Sequence, residues 1–165
     1  MNIKTIALLA ITLSASAQAI AFEVKVGGGV ATVEKASIMA REYKGNEYTA
    51  LKKYQGKDLM IVGKVGKVSV SSITGKPTVM LTTGLMQGVM IDGSSLTDQM
   101  LSNLKKNQIV MVGCASAKLT STIFLHIRGC DIVMPLNSKT KGKVYNMLAK
   151  DNGNKAAQIK AALSL

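Results

Sequence analysis

The chain has 165 residues, of which 47% are apolar, and it carries 21 lysines and arginines against 9 aspartates and glutamates. Disordered chains combine high charge with low hydrophobicity, so this composition excludes disorder and indicates one folded domain. The formal net charge of +12 indicates a cationic surface, which attracts polyanions such as nucleic acid, anionic lipid, acidic polysaccharide or an acidic protein. A solvated basic surface with no specific ligand would give the same composition.

The first segment, 1–19, has the pattern of a secretory signal peptide. Lys4 is its only charge, an apolar run covers 6–13, and Ala17-Gln18-Ala19 has the small-x-small form that signal peptidase reads. Ala19-Ile20-Ala21 gives a second cleavage frame. The apolar run is shorter than the roughly 20 residues of a bilayer span, and no cysteine lies near the cut to take a lipid. We therefore expect an exported protein, periplasmic or secreted, with no transmembrane span in the mature chain.

The next segment, 20–35, contains three consecutive glycines at 27–29 between two short β-prone pieces. This pattern predicts a flexible arm or a loose strand. It does not fit a phosphate-binding loop, because no Gly-Lys-Ser/Thr follows it. From 36 to 54 the apolar residues recur at helical spacing and Gly45-Asn46 interrupts them, which predicts a leading helix or two short helices.

From residue 57 the apolar residues alternate, which predicts strands. Five strands are expected over 57–70, 78–83, 88–92, 108–115 and 123–134, with a helix over 95–106 between the third and the fourth. Gly63 and Gly66 inside the first strand are typical of a bulge or a sharp bend, which a small barrel needs. The pattern predicts a mainly β chain whose domain, 36–134, is a five-stranded OB-fold Greek-key barrel. A β-sandwich would need about seven short strands.

The stretch NEYTALKKYQGKDLMIVGKV, 46–65, has an Asn-Glu helix start, a Tyr-x-Gly-Lys and a strand of the form Leu-x-Ile-x-Gly-x-Val. In this it resembles the opening of the tRNA-anti-like OB-fold family. The matching residues are Asn46, Glu47, Tyr54, Gly56, Lys57, Leu59, Ile61, Gly63 and Val65. LKKNQIVMVGCA and IRGCDI resemble the family's fourth and fifth strands, so the resemblance covers roughly 45–134. It implies an OB barrel and suggests a binding role, while many exported members have no assigned activity.

The two cysteines, Cys114 and Cys130, are expected to form a disulfide, because an even pair in an oxidising compartment is more often bridged than free. Two free buried thiols are the alternative. With His126 they are too few for a structural zinc site, which takes four ligands. A Cys–His nucleophile is disfavoured, because His126 and Cys130 lie four residues apart on one strand, too far for a hydrogen bond. Relatives in the resembled family often place the first cysteine on the third strand; here it lies on the fourth, which also neighbours the fifth.

The chain carries no catalytic signature. Its acidic residues stand singly, with no close pair on an alternating strand, and no Gly-x-Ser-x-Gly, nucleotide loop or metal-ligand pair occurs. We therefore expect no enzymatic activity, no metal and no cofactor.

The basic residues of the barrel give the first binding hypothesis. The candidates are Lys64 and Lys67 on the first strand, Lys76 in the loop after it, Lys118 between the last two strands and Arg128 on the fifth. OB-folds that bind single strands also stack bases on aromatic side chains, and Phe124 is the only aromatic on a predicted strand. The prediction is a salt-sensitive, phosphate-dominated contact with a polyanion such as single-stranded nucleic acid.

The methionines give the second binding hypothesis. Alternation places Met60, Met80, Met90 and Met111 on the outside of the barrel. Flexible apolar side chains suit a protein partner, so this face predicts a protein–protein interaction module of the cell envelope. Packing of the same residues beneath flanking helices is the alternative.

The C-terminal segment, 135–165, is predicted as a basic, weakly amphipathic helical tail. Lysines at 139, 141, 143, 150, 155 and 160 face a single acidic residue, Asp151. Such a tail is typical of a contact arm for an anionic surface or a partner, and equally of a solvated terminus.

Export should remove the first 19 or 21 residues. Mass spectrometry of the extracytoplasmic fraction is expected to find a chain that begins at Ile20 or Phe22, with a formal net charge of about +11 after the loss of Lys4. An intact chain beginning at Met1 in that fraction would contradict the signal-peptide prediction.

Overall fold

The computed structural model describes residues 21–26, 29–72, 74–84, 87–121 and 123–164. The predicted signal peptide, 1–19, lies outside these residues. Within the part that is described, none of the helices has the length and apolar character needed to cross a bilayer.

Seven strands form one sheet, which confirms the prediction of a mainly β chain. They are β1 Phe22–Val26, β2 Gly29–Lys35, β3 Asp58–Val70, β4 Pro77–Gly84, β5 Gln87–Asp92, β6 Ile109–Ser121 and β7 Leu125–Pro135. The order in the sheet is β1-β2-β3-β4-β5-β7-β6, and β6 also pairs with β3. The pairings of β3, β4, β5, β7 and β6 therefore form a closed circuit, called the strand ring below.

The helices are α1 Ala36–Gly45, α2 Glu47–Tyr54, α3 Asp98–Ser102, α4 Ser138–Lys150 and α5 Ala156–Leu163, with a 3₁₀ turn at Gly153–Lys155. Asn46 separates α1 from α2, as expected, and its side chain accepts a hydrogen bond from the Thr49 N–H at 3.0 Å. The helix predicted over 95–106 is shorter, because Thr97 caps it at its start.

An inner core fills the ring, built from the inward residues of the alternating strands. On β3 these are Leu59, Ile61 and Val65, and a bulge between Val65 and Lys67 shifts the alternation by one residue, so that Val68 is the next to pack against this core. Gly63 is required by packing: a Cβ there would lie 2.9 Å from the Ala36 Cβ on α1. The glycine thus lets α1 pack closely against the ring.

A second core lies outside the ring, between the sheet and the C-terminal helices. Met60 and Val62 of β3 and Met111 of β6 face it from the sheet. Its remaining buried members come from β1, β2, α4, α5 and the residue after β7: Val24, Ala31, Val33, Leu136, Val144, Leu148, Ile159, Ala162 and Leu163. The second core explains two departures from the sequence predictions.

Phe22–Val26 and Gly29–Lys35 form two strands, in a segment for which a flexible arm or a loose strand was expected. β1 pairs with β2, and β2 runs parallel to β3, because their alternating apolar residues are buried against α4 and α5. The tail likewise packs its apolar stripe on the sheet. Asn152 ties the two ends together: its Oδ1 accepts from the Lys25 N–H at 3.0 Å and its Nδ2 donates to the Lys25 carbonyl at 3.1 Å.

A buried polar network joins β2 to α1 and α2. The Tyr54 hydroxyl donates to Glu42 at 2.7 Å and lies 3.3 Å from Glu34, while Lys53 Nζ lies 2.8 Å from Glu42. Burial raises the pKa of the Glu34 carboxyl, and burial with the neighbouring carboxylates raises that of the Tyr54 hydroxyl. Acidic residues that stand singly in the sequence therefore converge here, on a contact that fixes the leading helices.

The predicted disulfide between Cys114 and Cys130 is confirmed. The two residues lie directly opposite each other on β6 and β7, with their Cα atoms 3.8 Å apart. The bridge belongs to the inner core, since Cys130 is fully buried and Cys114 nearly so.

Reduction of this disulfide should lower the melting temperature by several degrees. The bridge closes a loop with a sequence separation of 16 residues, worth roughly 3 kcal/mol in the chain-entropy model. Thermal unfolding with and without reductant measures the effect. Two reactive thiols in the unreduced, denatured protein would contradict the bridge.

Candidate functional site

A continuous row of side chains crosses the outside of the strand ring. Cross-strand pairing places Lys67 of β3 opposite Met80 of β4, Met80 opposite Met90 of β5, and Met90 opposite His126 of β7. Thr120 of β6 then lies opposite His126. Directly paired residues share a face and have Cβ atoms about 4.5–5.5 Å apart. The row therefore runs from a lysine through two thioethers to an imidazole.

A second row beside the first carries charges. Arg128 lies two residues beyond His126 and opposite Lys118, and its Nε lies 3.6 Å from Asp92 Oδ2. Burial alone would raise the pKa of the Asp92 carboxyl, but the hydrogen bonds from Ser94, with the nearby His126 and Lys76, lower it below its ordinary value. The exposed side chains of Lys67, Lys76, Lys118 and Arg128 are called the cationic face below.

Three of the five basic residues predicted for polyanion binding are linked by contacts: Arg128 lies opposite Lys118 and beside Asp92, and Lys76 lies close enough to Asp92 to act on its charge. One placement differs from the prediction, because Lys118 belongs to β6 and not to the loop that follows it. Lys64 and Lys67 lie three residues apart on β3, with β4 and β5 between them and Arg128 on β7. Lys64 lines a groove of about 650 Å³ together with Ser37 at the start of α1 and Asn107 before β6.

The predicted methionine face is corrected by the second core. Met60 and Met111 do point outward from the ring, but the C-terminal helices cover that side and leave these residues 7% and 4% exposed. Met80 and Met90 are half-buried and belong to the row described above. The four residues therefore do not form one accessible surface.

His126 is the chain's single histidine, and it is half-buried. Its Nε2 is buried without a hydrogen-bond partner, as is the Thr120 hydroxyl on the opposite strand. Burial, followed by the Arg128 charge, lowers the pKa of the imidazole, while Asp92 acts in the opposite direction. The row thus contains an imidazole with a lowered pKa, whose buried nitrogen has no hydrogen-bond partner among the residues that the structure describes.

A small aromatic cleft lies at the end of the ring where α1 packs. Tyr43 and Lys44 of α1 line it with Gly88 of β5 and with Ile123 and Phe124 before β7, around a volume of about 200 Å³. Ile123 is 91% exposed. This cleft was not predicted from the sequence, because its walls come from three segments that only the packing of α1 brings together.

The tail lysines lie away from the cationic face, because their helices pack on the second core. Lys141 and Lys160 line a cavity of about 300 Å³ between α4 and α5, together with Tyr145. Lys155 donates to the Glu23 carbonyl of β1, so at least one tail lysine has a structural contact.

Across the described ranges, no three His, Cys, Asp or Glu side chains lie together in an arrangement that could hold a metal ion. The methionine thioether is a further ligand type, which prefers soft ions.

No family model matches the chain, and no curated protein matches it. Among solved structures it is similar to a candidate aspartyl-tRNA synthetase from Leishmania major Friedlin, with a TM-score of 0.42 and 11% identity over 63% of this chain. The chain spans 20% of that protein's length. It is also similar to the S. pombe Stn1-Ten1 complex, with a TM-score of 0.37, 14% identity, and coverage of 64% of this chain and 75% of that one. At these values neither similarity carries an argument about fold or ligand.

The imidazole of His126 should titrate below its ordinary value of 6.5. The folded protein then takes up this proton less readily than the unfolded chain, so the stability present above pH 6.5 is lost as the pH falls toward the folded pKa. NMR of the ring C–H signals is expected to give a midpoint below 6.5, which moves upward in Arg128→Gln and does not move in Lys52→Gln. A wild-type midpoint at or above 6.5 would contradict the burial argument.

Proposed function

We propose that this protein is an exported, non-enzymatic OB-fold module that binds a polyanion through the cationic face. The observation that carries the proposal is that Lys67, Lys76, Lys118 and Arg128 are all exposed on the outside of the strand ring, with Lys118 and Arg128 directly opposite each other. A surface with several exposed cations attracts phosphate-rich chains and repels basic ones.

The pairing pattern of the ring supports the OB-fold part of the proposal. In chain order, the first ring strand, β3, pairs with the second and the fourth, and the third, β5, pairs in parallel with the fifth. α3 lies between the third and fourth ring strands. A five-stranded Greek-key barrel has this arrangement, with β1 and β2 as an extension along β3.

Single-stranded nucleic acid is the polyanion that the face suits best. Its phosphates would contact the cationic face, and an unstacked base would enter the cleft between Tyr43 and Phe124. Stacking on an aromatic side chain is worth about 1–3 kcal/mol per base and tolerates any sequence. Since the cleft has room for little more than one base, phosphate contacts would dominate and sequence preference would be weak.

Two further observations support export. The disulfide is compatible with an oxidising compartment, where such bridges persist. The cleavage pattern before Ile20 points the same way. The second hypothesis was a docking face for an envelope protein. Since Met60 and Met111 are buried in the second core, we retain it only as the outcome expected if polyanion binding fails.

Reversal of charge on the cationic face should abolish binding of single-stranded DNA at low salt. In wild-type protein each phosphate contact contributes about 0.7 to the slope of log affinity against log salt, so four contacts give a slope of roughly 3. Lys67→Glu with Lys118→Glu should lower affinity more than tenfold and flatten the slope, as measured by fluorescence anisotropy over a salt series.

The matched control is Lys52→Glu with Lys106→Glu, which makes the same change in net charge at exposed positions on α2 and before β6. It should keep most of the wild-type affinity. Equal losses in both double variants would show attraction to net charge alone, and no affinity in wild-type protein at about 20 mM salt would exclude the polyanion.

A further inference from the structure

The row across the outside of the ring contains two thioethers next to an imidazole, and this combination has a chemistry of its own. Met80, Met90 and His126 occupy successive strands, β4, β5 and β7, at directly paired positions. Their inward neighbours on these strands, among them Val79, Ile91 and Ile127, are fully buried in the inner core, so the three side chains project from the same outer side.

The spacing of these three residues allows their donor atoms to meet. Paired positions lie about 4.5–5.5 Å apart at Cβ, so the two outer members, Met80 and His126, lie within about 10 Å of each other on either side of Met90. The Met80 thioether already leans across onto the middle strand: a Cβ placed on Gly88 would lie 2.7 Å from its Sδ. Gly88 lies two residues before Met90 on β5, and the absence of a side chain there makes room for that sulfur.

The imidazole supplies the third donor. His126 Nε2 is buried and has no hydrogen-bond partner among the protein groups around it, although buried polar atoms are normally satisfied. The Thr120 hydroxyl on the opposite strand lies buried without a partner as well. The three paired positions therefore offer one unpaired imidazole nitrogen and two thioether sulfurs as ligands for a soft cation.

We propose that Met80, Met90 and His126 form a binding site for a soft monovalent metal ion, Cu(I), for which Ag(I) is the redox-inert substitute. Thioether sulfur selects Cu(I) over the hard cations, which require oxygen ligands, and imidazole is a good ligand for copper. The neighbouring positive charges of Lys67 and Arg128 repel any bound cation. They repel a divalent ion more strongly than a monovalent one, because the repulsion grows with the charge of the ion.

The test is a titration of the mature protein with silver nitrate in chloride-free buffer, followed by NMR. The single histidine gives one set of ring C–H signals, and each methionine gives one ε-methyl signal. One equivalent of Ag(I) should shift the His126 ring signals and the methyl signals of Met80 and Met90, with an end point at one ion per chain. Magnesium chloride added to a separate sample should shift none of them.

The variant Met80→Leu with Met90→Leu should weaken Ag(I) binding at least tenfold, because it removes both sulfurs and nearly conserves volume. The matched control, Met134→Leu with Met147→Leu, removes two methionines from β7 and α4 and should retain wild-type affinity. The melting temperature of each variant shows whether it is folded, and the wild-type shifts decide the proposal if the first variant is not.

Three results would overturn the site: unshifted His126 signals, an Ag(I) affinity unchanged in Met80→Leu with Met90→Leu, or shifts confined to other methionines. The titration contains no nucleic acid, so its result tests the metal site alone. The DNA-binding assay tests the polyanion interface alone.

Discussion

The whole arrangement depends on the backbone hydrogen bonds of β3. The strand pairs along both of its edges, and its partner on one edge changes from β2 to β4 along its length. Its first half, from Asp58 to Val62, lies between β2 and β6, and its second half pairs with β4. A strand can exchange a partner in this way only if it bends. The bulge between Val65 and Lys67, at Gly66, provides that bend.

One bend therefore gives the protein two apolar layers and one polar surface. The inward residues of β3 fill the ring, while the outward residues of its first half, Met60 and Val62, are covered by α4 and α5. Beyond the bend the outward residue is Lys67, the first member of the row that leads to His126. The candidate sites thus occupy the half of the outer surface over which the C-terminal helices do not form the second core.

The local sequence pattern predicted most helices and strands. The structure also gives a physical role to several residues of the 46–65 motif. Asn46 caps α2, Tyr54 is fully buried, and Gly56 has a φ of 73°, a left-handed conformation that favours glycine. Each of these requirements is local or nearly so. The disulfide was predictable from the number of cysteines and the expected oxidising compartment, because the chain has two cysteines and so allows one pairing.

Long-range packing was not predictable from the same signals. Alternation placed Met60 and Met111 correctly on the outside of the ring, but it carried no information on the helices that cover them. The alignment of Met80, Met90 and His126 depends on strand register, and bulges such as the one between Thr82 and Gly84 set that register. The aromatic cleft needed the docking of α1. In each case the missing information lay in contacts between segments far apart in sequence.

The clasp between Asn152 and Lys25 joins residues 127 positions apart. A chain that emerges amino end first presents β1 and β2 long before α5, so the apolar sides of these strands stay uncovered until α5 has been made. Contacts of such wide sequence separation form late and slowly. A change that displaces α4 and α5 would therefore expose the apolar sides of β1 and β2 as well.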